Sequence, residues 1–494
     1  MNWNQDSGAA GRATRFSRRY AAVIGTFFLF GACSCGGEDP SSIIPPDDDD
    51  DDPVVIPGDT TPGTIRLNTG LRYQTISGWY ATAQVGEHDC PTFDLYKDEL
   101  FNRTVNELGL NRIKLPVRSG SEHPTDHYAK FEGGLLTFDK WQDTWFHAVN
   151  DNADPFIMDP AGFHWGGLDN DIEAIALPMR QRLQARGERL VVVLTFTDSK
   201  ISPFDHKHAA QEYAEFILAV FEHMQSKYGF VPDIVEVVNE PDTPGVSWTG
   251  PQLGQAIAAA GARLEAAGFR PRFAVPGTAD MAVAPTMYDE ALQQPGAAKY
   301  ITDISYHRYR GATLANLQKI ALRVVRDDLG ADMSEHIGSG YEDLHEDLKV
   351  AHATGWMQFA LALCGSGNND GGAIYYRIDE SNPAAPVIEP RSRTPFLWQY
   401  FRYIREGAVR VEVTSQDAKL DPVAFVHPNG KHTVVIKADE GATFSVGTLP
   451  AGTYGITYVT DSTIDGELPD VTLASRGKID VTMPAKGVVT IFAK

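Results

Sequence analysis

The sequence predicts an α/β fold: a (β/α)8 TIM barrel with a C-terminal all-β sandwich-like side domain. Three observations carry this. Between residues 74 and 407, apolar strand-like stretches alternate strictly with helix-length amphipathic ones, eight times over, which argues for a parallel sheet closed into a barrel. The third stretch, RLVVVLTFT (189–197), is apolar almost throughout, as a parallel strand covered on both faces must be. After residue 407 the helical period stops, and short alternating strands follow, separated by PNG, DEG and PAG turns.

The elements follow in order. QTISGWYATA (74–83) is the first strand, and FDLYKDELFNRTVNELG (93–109) a helix closed by Gly109. NRIKLPV (111–117) is the second strand. A long loop rich in His and aromatic residues separates it from the helix at 172–187 and the third strand. IVEVVNEP (234–241), RFAVPGT (272–278), ITDISYHRY (301–309) and ADMSEHIG (331–338) are the fourth to seventh strands, with helices at 209–229, 250–268, 286–294 and 313–330 between or after them. YEDLHEDLKVAHATGWMQFALALCG (341–365) reads as one long helix, GAIYYRID (372–379) as the eighth strand and 394–407 as the last helix. The side domain spans 408–494, with strands expected at 409–415, 422–428, 432–438, 443–447, 452–460, 478–483 and 487–493. The segment 64–72, at the start of the barrel region (64–407), is a candidate extra strand for that domain.

Net charge is −22 over 494 residues and is unevenly spread. Residues 1–32 carry +3 and residues 33–63 carry −9, leaving −16 for the body. An acidic body without a basic stripe speaks against nucleic acid as a partner. In 1–32, Arg12, Arg15, Arg18 and Arg19 precede a short apolar run that ends in LFGAC. The run is too short to span a bilayer and has the form of an export signal. It resembles a bacterial lipoprotein signal in which Cys33 becomes the lipidated first residue; the alternative is an ordinary secretory signal cut nearby. Residues 33–63, rich in Pro and Asp with six consecutive Asp, read as an extended tether. Cys35, Cys90 and Cys364 show no paired spacing, so neither a disulfide framework nor a zinc site is indicated.

In barrels of this kind chemistry sits at the C-terminal ends of the strands. The second strand ends in Arg118, Ser119 and Glu122, the fourth in Asn239 and Glu240, the sixth in His307 and Tyr309. The seventh ends in Glu335 and His336, and the eighth in Tyr375, Tyr376 and Asp379. Glu240 and Glu335 lie three strands apart, facing each other across the mouth. Two opposed carboxylates among aromatic rings are the groups glycosidic cleavage requires: one protonates the leaving oxygen, the other attacks or activates water. His307 and Tyr309, two apart on a strand, share a face. Glu236, mid-strand, reads as the ion-pair partner of an interior Lys or Arg. Trp141, Trp145, His164 and Trp165 either line a sugar subsite or form the long loop's own core.

NEP (239–241), HRY (307–309) and SEH (334–336) together resemble the signature of clan A glycoside hydrolases. The opening QTISGWYATA is similar to the start of glycoside hydrolase family thirty, the group of glucosylceramidases, xylanases and β-1,6-glucanases. The resemblance implies a barrel with a β-sandwich built from both chain ends. It also implies a retaining hydrolase with Glu240 as acid/base and Glu335 as nucleophile, Glu342 being the fallback nucleophile. Asn239 would then contact the sugar 2-hydroxyl, Tyr309 would hold Glu335 ionised, and His307 with Tyr375 or Tyr376 would shape the sugar site. Glu240 would need a raised pKa and Glu335 a low one. Where the clan carries a second-strand Arg, this chain has Lys114, flanked by Arg112 and Arg118. Trp165, Arg118 and Lys114 complete the expected substrate contacts. The retaining reaction predicts carboxyl groups about 5–5.5 Å apart. No cofactor or metal is expected. The expected partner is carbohydrate, with a membrane engaged only through the lipid anchor, and the chain is expected to be a monomer at the bacterial cell envelope. A rival reading keeps the same barrel as a catalytically inactive glycan-binding lipoprotein.

Overall fold

The structure, a computed structural model, describes residues 64–199, 202–364 and 372–494. The expected signal, Cys33 and the acidic tether lie outside the described residues.

The chain enters on β1 (Thr64–Thr75), a strand of the side domain, and then begins the barrel. Eight parallel strands form it: β2 (Gly78–Trp79), β3 (Arg112–Arg118), β4 (Val191–Thr197), β5 (Ile234–Glu236), β6 (Arg272–Asp280), β7 (Ile301–Arg310), β8 (Gly330–Glu335) and β9 (Gly355–Trp356). Their order is β2-β9-β8-β7-β6-β5-β4-β3. The first and second barrel strands close the ring: Lys114 N donates to Ala81 O at 2.9 Å, and Ala83 N to Lys114 O at 2.9 Å. The barrel helices are α1 (Phe93–Arg103), α2 (Leu177–Ala185), α3 (Ala210–Tyr228), α4 (Gly250–Ala266), α5 (Ala284–Leu292), α6 (Leu314–Asp327), α7 (Tyr341–Glu346) and α8 (Thr394–Phe401). β4 is buried at every position, in keeping with its unbroken apolar run.

One barrel strand is not where the sequence placed it. The stretch 341–365 is not a single helix. It leaves α7 through one wider turn, Asp347–Ala351, ends on His352 in the left-handed region (φ 56°), and then supplies β9 as the eighth barrel strand. The run GWMQFALALC is apolar enough for a buried helix or a buried strand, and periodicity does not separate the two. Gly355 is the tertiary clue: a Cβ there would sit 1.9 Å from Arg112 Nη1, so the strand lies close only because it has no side chain at that point. The predicted eighth strand is instead β11 (Ile374–Asp379), which pairs parallel with β10 (Ala360–Cys364) and antiparallel with β12 (Val387–Pro390) in a separate three-stranded sheet. Tyr375, Tyr376 and Asp379 are therefore not at a barrel strand end.

The side domain is a nine-stranded ribbon wrapped around its own apolar core. It is built from β1 with β13 (Val409–Ser415), β14 (Leu420–Val426), β15 (His432–Ala438), β16 (Ala442–Leu449), β17 (Gly452–Thr460), β18 (Thr463–Leu473), β19 (Gly477–Met483) and β20 (Gly487–Ala493). The expected tie between the chain ends is present: β1 pairs antiparallel with β13 and parallel with β16. β18 escaped the sequence reading because Asp465, Gly466, Pro469 and Asp470 interrupt its alternation, and most of it is exposed. α8 fastens the two domains. The buried Gln399 accepts from Thr457 Oγ1 at 3.0 Å through its side chain and from Thr490 Oγ1 at 2.7 Å through its backbone carbonyl.

Cys90 and Cys364 form a disulfide, with Cα atoms 5.6 Å apart and a sequence separation of 274. Linear spacing could not indicate this pair, because the two segments meet only when the barrel closes. Closing so long a loop restricts the unfolded chain, and removing the bond by Cys90→Ser with Cys364→Ser is expected to destabilise the fold by about 2–5 kcal/mol. Urea unfolding of the variant checks the magnitude. Peptide mapping without reductant should recover the Cys90–Cys364 cross-linked peptide, and finding both thiols freely alkylated would refute the bond.

Candidate active site

The site is assembled at the C-terminal ends of β3, β5, β7 and β8. The regular ladder of β5 stops at Glu236, but the chain stays pinned between its neighbours: Asn239 N donates to Phe196 O at 2.9 Å, and Glu240 N to Gly277 O at 3.0 Å. Glu240 takes the left-handed region, φ 52°, which a residue with a Cβ adopts at a cost. The break in alternation that would let Asn239 and Glu240 serve one pocket is thus made at Glu240 itself. On β7 alternation is kept. His307 and Tyr309 face the site, while Arg308 between them points outward to Asp347 (2.6 Å), Glu346 (2.7 Å) and Asp343 (3.0 Å).

His307 Nδ1 lies 3.2 Å from Glu240 Oε1, and Tyr309 OH donates to Glu335 Oε1 at 2.9 Å. One oxygen from Glu240, one from Glu335 and a ring nitrogen of His307 all lie within 4.8 Å of one another. Beneath them is Lys114. Its Nζ is 2.7 Å from Glu236 Oε2, 3.0 Å from Asn239 Oδ1 and 3.9 Å from Glu335 Oε2. Lys114 is therefore the second-strand cation of the site, and Glu236 is its interior ion-pair partner, as the mid-strand position suggested. Glu236 also accepts from Thr195 Oγ1 at 2.8 Å.

Burial opposes a charged Lys114, but the charges of Glu236 and Glu335 outweigh it and raise its pKa; it stays an ammonium. Burial likewise opposes an ionised Glu236, yet Lys114 and then His307 hold its pKa below the usual carboxylate value. At His307 burial disfavours the imidazolium, while the hydrogen bond to Glu240 and the charges of Glu335 and Glu240 raise its pKa overall. Tyr309 is driven well up by burial and by Glu335 and Glu240, so it remains a donor. Glu335 departs from expectation. Burial raises it above its ordinary value, and His307, Lys114 and the Tyr309 hydrogen bond only partly offset this. A low Glu335 pKa was expected from the chemistry; the buried position explains the difference.

The cleft is lined by Lys114, Pro116, Arg118, Trp145, Thr195, Thr197, Asn239, Glu335, Thr82, Gln84 and Phe359. Arg118 lies over the Trp145 ring at 4.1 Å and 3.7 Å from Asp171. A neighbouring depression lined by Arg118, Trp141, Trp145, His127 and His164 continues from it. Trp165 is not brought to the cleft: it stacks on Phe163 with centroids 5.6 Å apart and packs on Phe216 of α3, forming part of the loop's own core. Tyr375 is fully buried, donating to Tyr80 O at 2.9 Å and accepting from Gln358 N at 2.9 Å; Tyr376 meets Glu107. Neither reaches the cleft, because both lie on β11. Phe359, three residues past β9, supplies the aromatic at the eighth strand. It was missed inside the supposed helix, although the HATG break at 352–355 signalled that the helix ended there. Glu335, rather than Glu342, meets Lys114 and Tyr309. Two carboxylates and an imidazole this close are also a donor set for a divalent ion, but the Lys114 ammonium already places positive charge beside them.

Residues 407–491 match the family model of the glycosyl hydrolase family 30 beta sandwich domain. Among solved structures, the chain is similar to a GH30 endoxylanase from Clostridium papyrosolvens C71 (15% identity, 87% of this chain and 100% of that one, TM-score 0.61). It is similar to the catalytic domain of GH30 xylanase C from Talaromyces cellulolyticus (16%, 87% and 100%, 0.62). It is also similar to an endo-β-1,6-glucanase (16%, 90% and 96%, 0.59). At these identities the likeness is one of fold: a barrel with a β-sandwich completed by the N-terminal strand. The family-thirty resemblance read from the sequence is borne out by the β-domain and by these neighbours.

Lys114→Met is expected to destabilise the protein by ~3–5 kcal/mol, since it leaves Glu236 charged and unpaired in the barrel centre. Adding Glu236→Leu should recover most of that loss in urea unfolding, while turnover stays abolished because Asn239 and Glu335 have lost their cation. A single variant with wild-type stability would show that the pair is not ionised.

Proposed function

We propose that this chain is a retaining glycoside hydrolase of the family-thirty type, cleaving β-linked glycosidic bonds in a polysaccharide or glycoconjugate. One observation carries the reading: Glu240, held by His307, and Glu335, held by Tyr309, approach to within 4.8 Å at the strand ends. Retaining enzymes need carboxyl groups about 5–5.5 Å apart, whereas inverting ones need about 6.5–9.5 Å to fit a water between. In this reading Glu335 Oε2, oriented from one side by Tyr309 and from below by Lys114, attacks the anomeric carbon. Glu240 protonates the departing oxygen, and the glycosyl–Glu335 ester forms. Glu240 then takes a proton from water, which attacks the ester and frees Glu335. His307, bonded to Glu240, responds to the charge Glu240 acquires and loses. Asn239, its carbonyl oxygen turned to Lys114, offers its amide N–H to the sugar 2-hydroxyl.

The sugar site is bounded by Phe359, and the chain of the substrate runs past Trp145 and Arg118 toward the depression beside His127 and His164. The similar structures include xylanases and an endo-β-1,6-glucanase, which favours a β-linked polymer. Both carboxylates, each with its supporting donor, favour an enzyme over an inactive glycan binder. The export signal, lipidation at Cys33 and the tether extend the proposal to a hydrolase held outside the cell. The Cys90–Cys364 disulfide fits that oxidising location.

A 2-fluoro glycoside with an activated leaving group should label the peptide containing Glu335; a label on Glu342, or none across a broad panel of sugars, would overturn the assignment. Glu240→Gln is expected to lower kcat/KM on substrates with poor leaving groups by ~10²–10⁴-fold, with little loss of kcat/KM on activated ones, whose kcat falls because hydrolysis of the glycosyl–enzyme still needs the base.

The pH profile provides a separate check. Glu335 must be ionised to attack, and burial raises its pKa above 4.5, so the rate should fall as pH drops through that raised value. Tyr309→Phe removes a donor that favours the ionised form, and the acid limb should move to higher pH.

A further inference from the structure

Outside the cleft, Asp151, Glu212 and Glu215 bring one carboxylate oxygen each to within 4.8 Å of one another. Glu212 and Glu215 are three residues apart in the first turns of α3 and share a face. Asp151 comes from the long loop after β3. Glu215 is only 3% exposed, and its Oε1 has no hydrogen-bond partner; Glu212 Oε2 has none either. Acceptors facing acceptors in a buried place require a proton or a cation between them. Arg263 of α4 attracts the cluster from a distance, but its Nη1 donates to Gln211 O at 3.4 Å and its guanidinium lies over the Phe156 ring at 4.7 Å. Asp151 is set by its own loop: Oδ1 accepts from Asn152 N at 2.7 Å and Oδ2 from Asp159 N at 2.5 Å.

We propose that Asp151, Glu212 and Glu215 form a divalent-cation site of the calcium class, clipping the loop after β3 to α3. The ligands are hard oxygens. Oxygens on one ion at about 2.4 Å are at most about 4.8 Å apart, and three carboxylates suit calcium better than magnesium, which keeps more of its water. The clip has a route to the cleft. Asp151 N donates to Glu122 Oε1 at 3.0 Å, Val149 N to Glu122 O at 2.8 Å, and His164 N to Ser121 O at 2.7 Å. The bound loop thereby fixes the wall that carries Trp145. The ion touches no substrate; it orders the loop.

The test is thermal melting of the full chain, stripped with EDTA and then returned to calcium, magnesium or manganese chloride. Calcium is expected to raise Tm by roughly 2–5 °C at saturation, with magnesium giving less. Glu215→Gln, and separately Asp151→Asn, should abolish the rise while the metal-free protein melts no lower than wild type. The Asp run at 47–52 can also take up calcium, so the readout is the melting shift rather than total uptake. No shift with any of the three ions would overturn the proposal in favour of a proton shared between Glu212 and Glu215. So would a shift that survives both substitutions, which would place the ion elsewhere.

Discussion

The site depends on a single ammonium group in the middle of the barrel. Lys114 is almost wholly buried, and what keeps it charged there is Glu236 on the neighbouring side of the ring, 2.7 Å away. The pair is costly to desolvate, yet each partner alone would cost more. Once present, it fixes what lies above it: the Asn239 carbonyl oxygen turns toward the cation, and Glu335 stands over it at 3.9 Å. A second buried pair, Arg112 with Asp332 at 2.6 Å, does the same work one layer lower, with Tyr80 donating to Asp332 and Gly355 leaving room for the guanidinium. The barrel interior thus holds a stack of two matched ion pairs beside a buried apolar cluster that includes Val193, Ile234 and Ala274.

Above that stack the two carboxylates are treated differently. Glu240 sits on a strained left-handed backbone and is met by an imidazole; Glu335 follows a register shift on β8 and is met by a phenol. Different partners on two neighbouring carboxyl groups are the means by which one site can hold an acid and a nucleophile together. The strict alternation of β7 makes this possible, sending His307 and Tyr309 inward and Arg308 out to the acids of α7 and the turn that follows it.

Much of this was legible in the sequence. The unbroken apolar strands and the helical periods between them gave seven of the eight barrel strands, and the turn-broken texture after residue 407 marked the side domain. The site residues at the ends of the fourth, sixth and seventh strands could be named because a barrel presents its chemistry there. The pairing of Glu236 with a barrel cation followed from its mid-strand position. The readings that failed share a cause. The eighth strand, Phe359, the idle Tyr375 and Tyr376, the disulfide and the raised Glu335 pKa all depend on what lies across space from a residue, and neither period nor spacing reports it.

The sequence by itself determined the architecture and which two carboxylates the strand ends bring together, because hydrophobic period and strand order are local properties written along the chain. The tertiary structure alone decided which cation serves the site, which aromatic borders it and how charge is shared between Glu236, Glu335 and His307. Those are matters of distance in a medium that screens weakly, where an ångström changes an interaction by more than any residue's intrinsic preference.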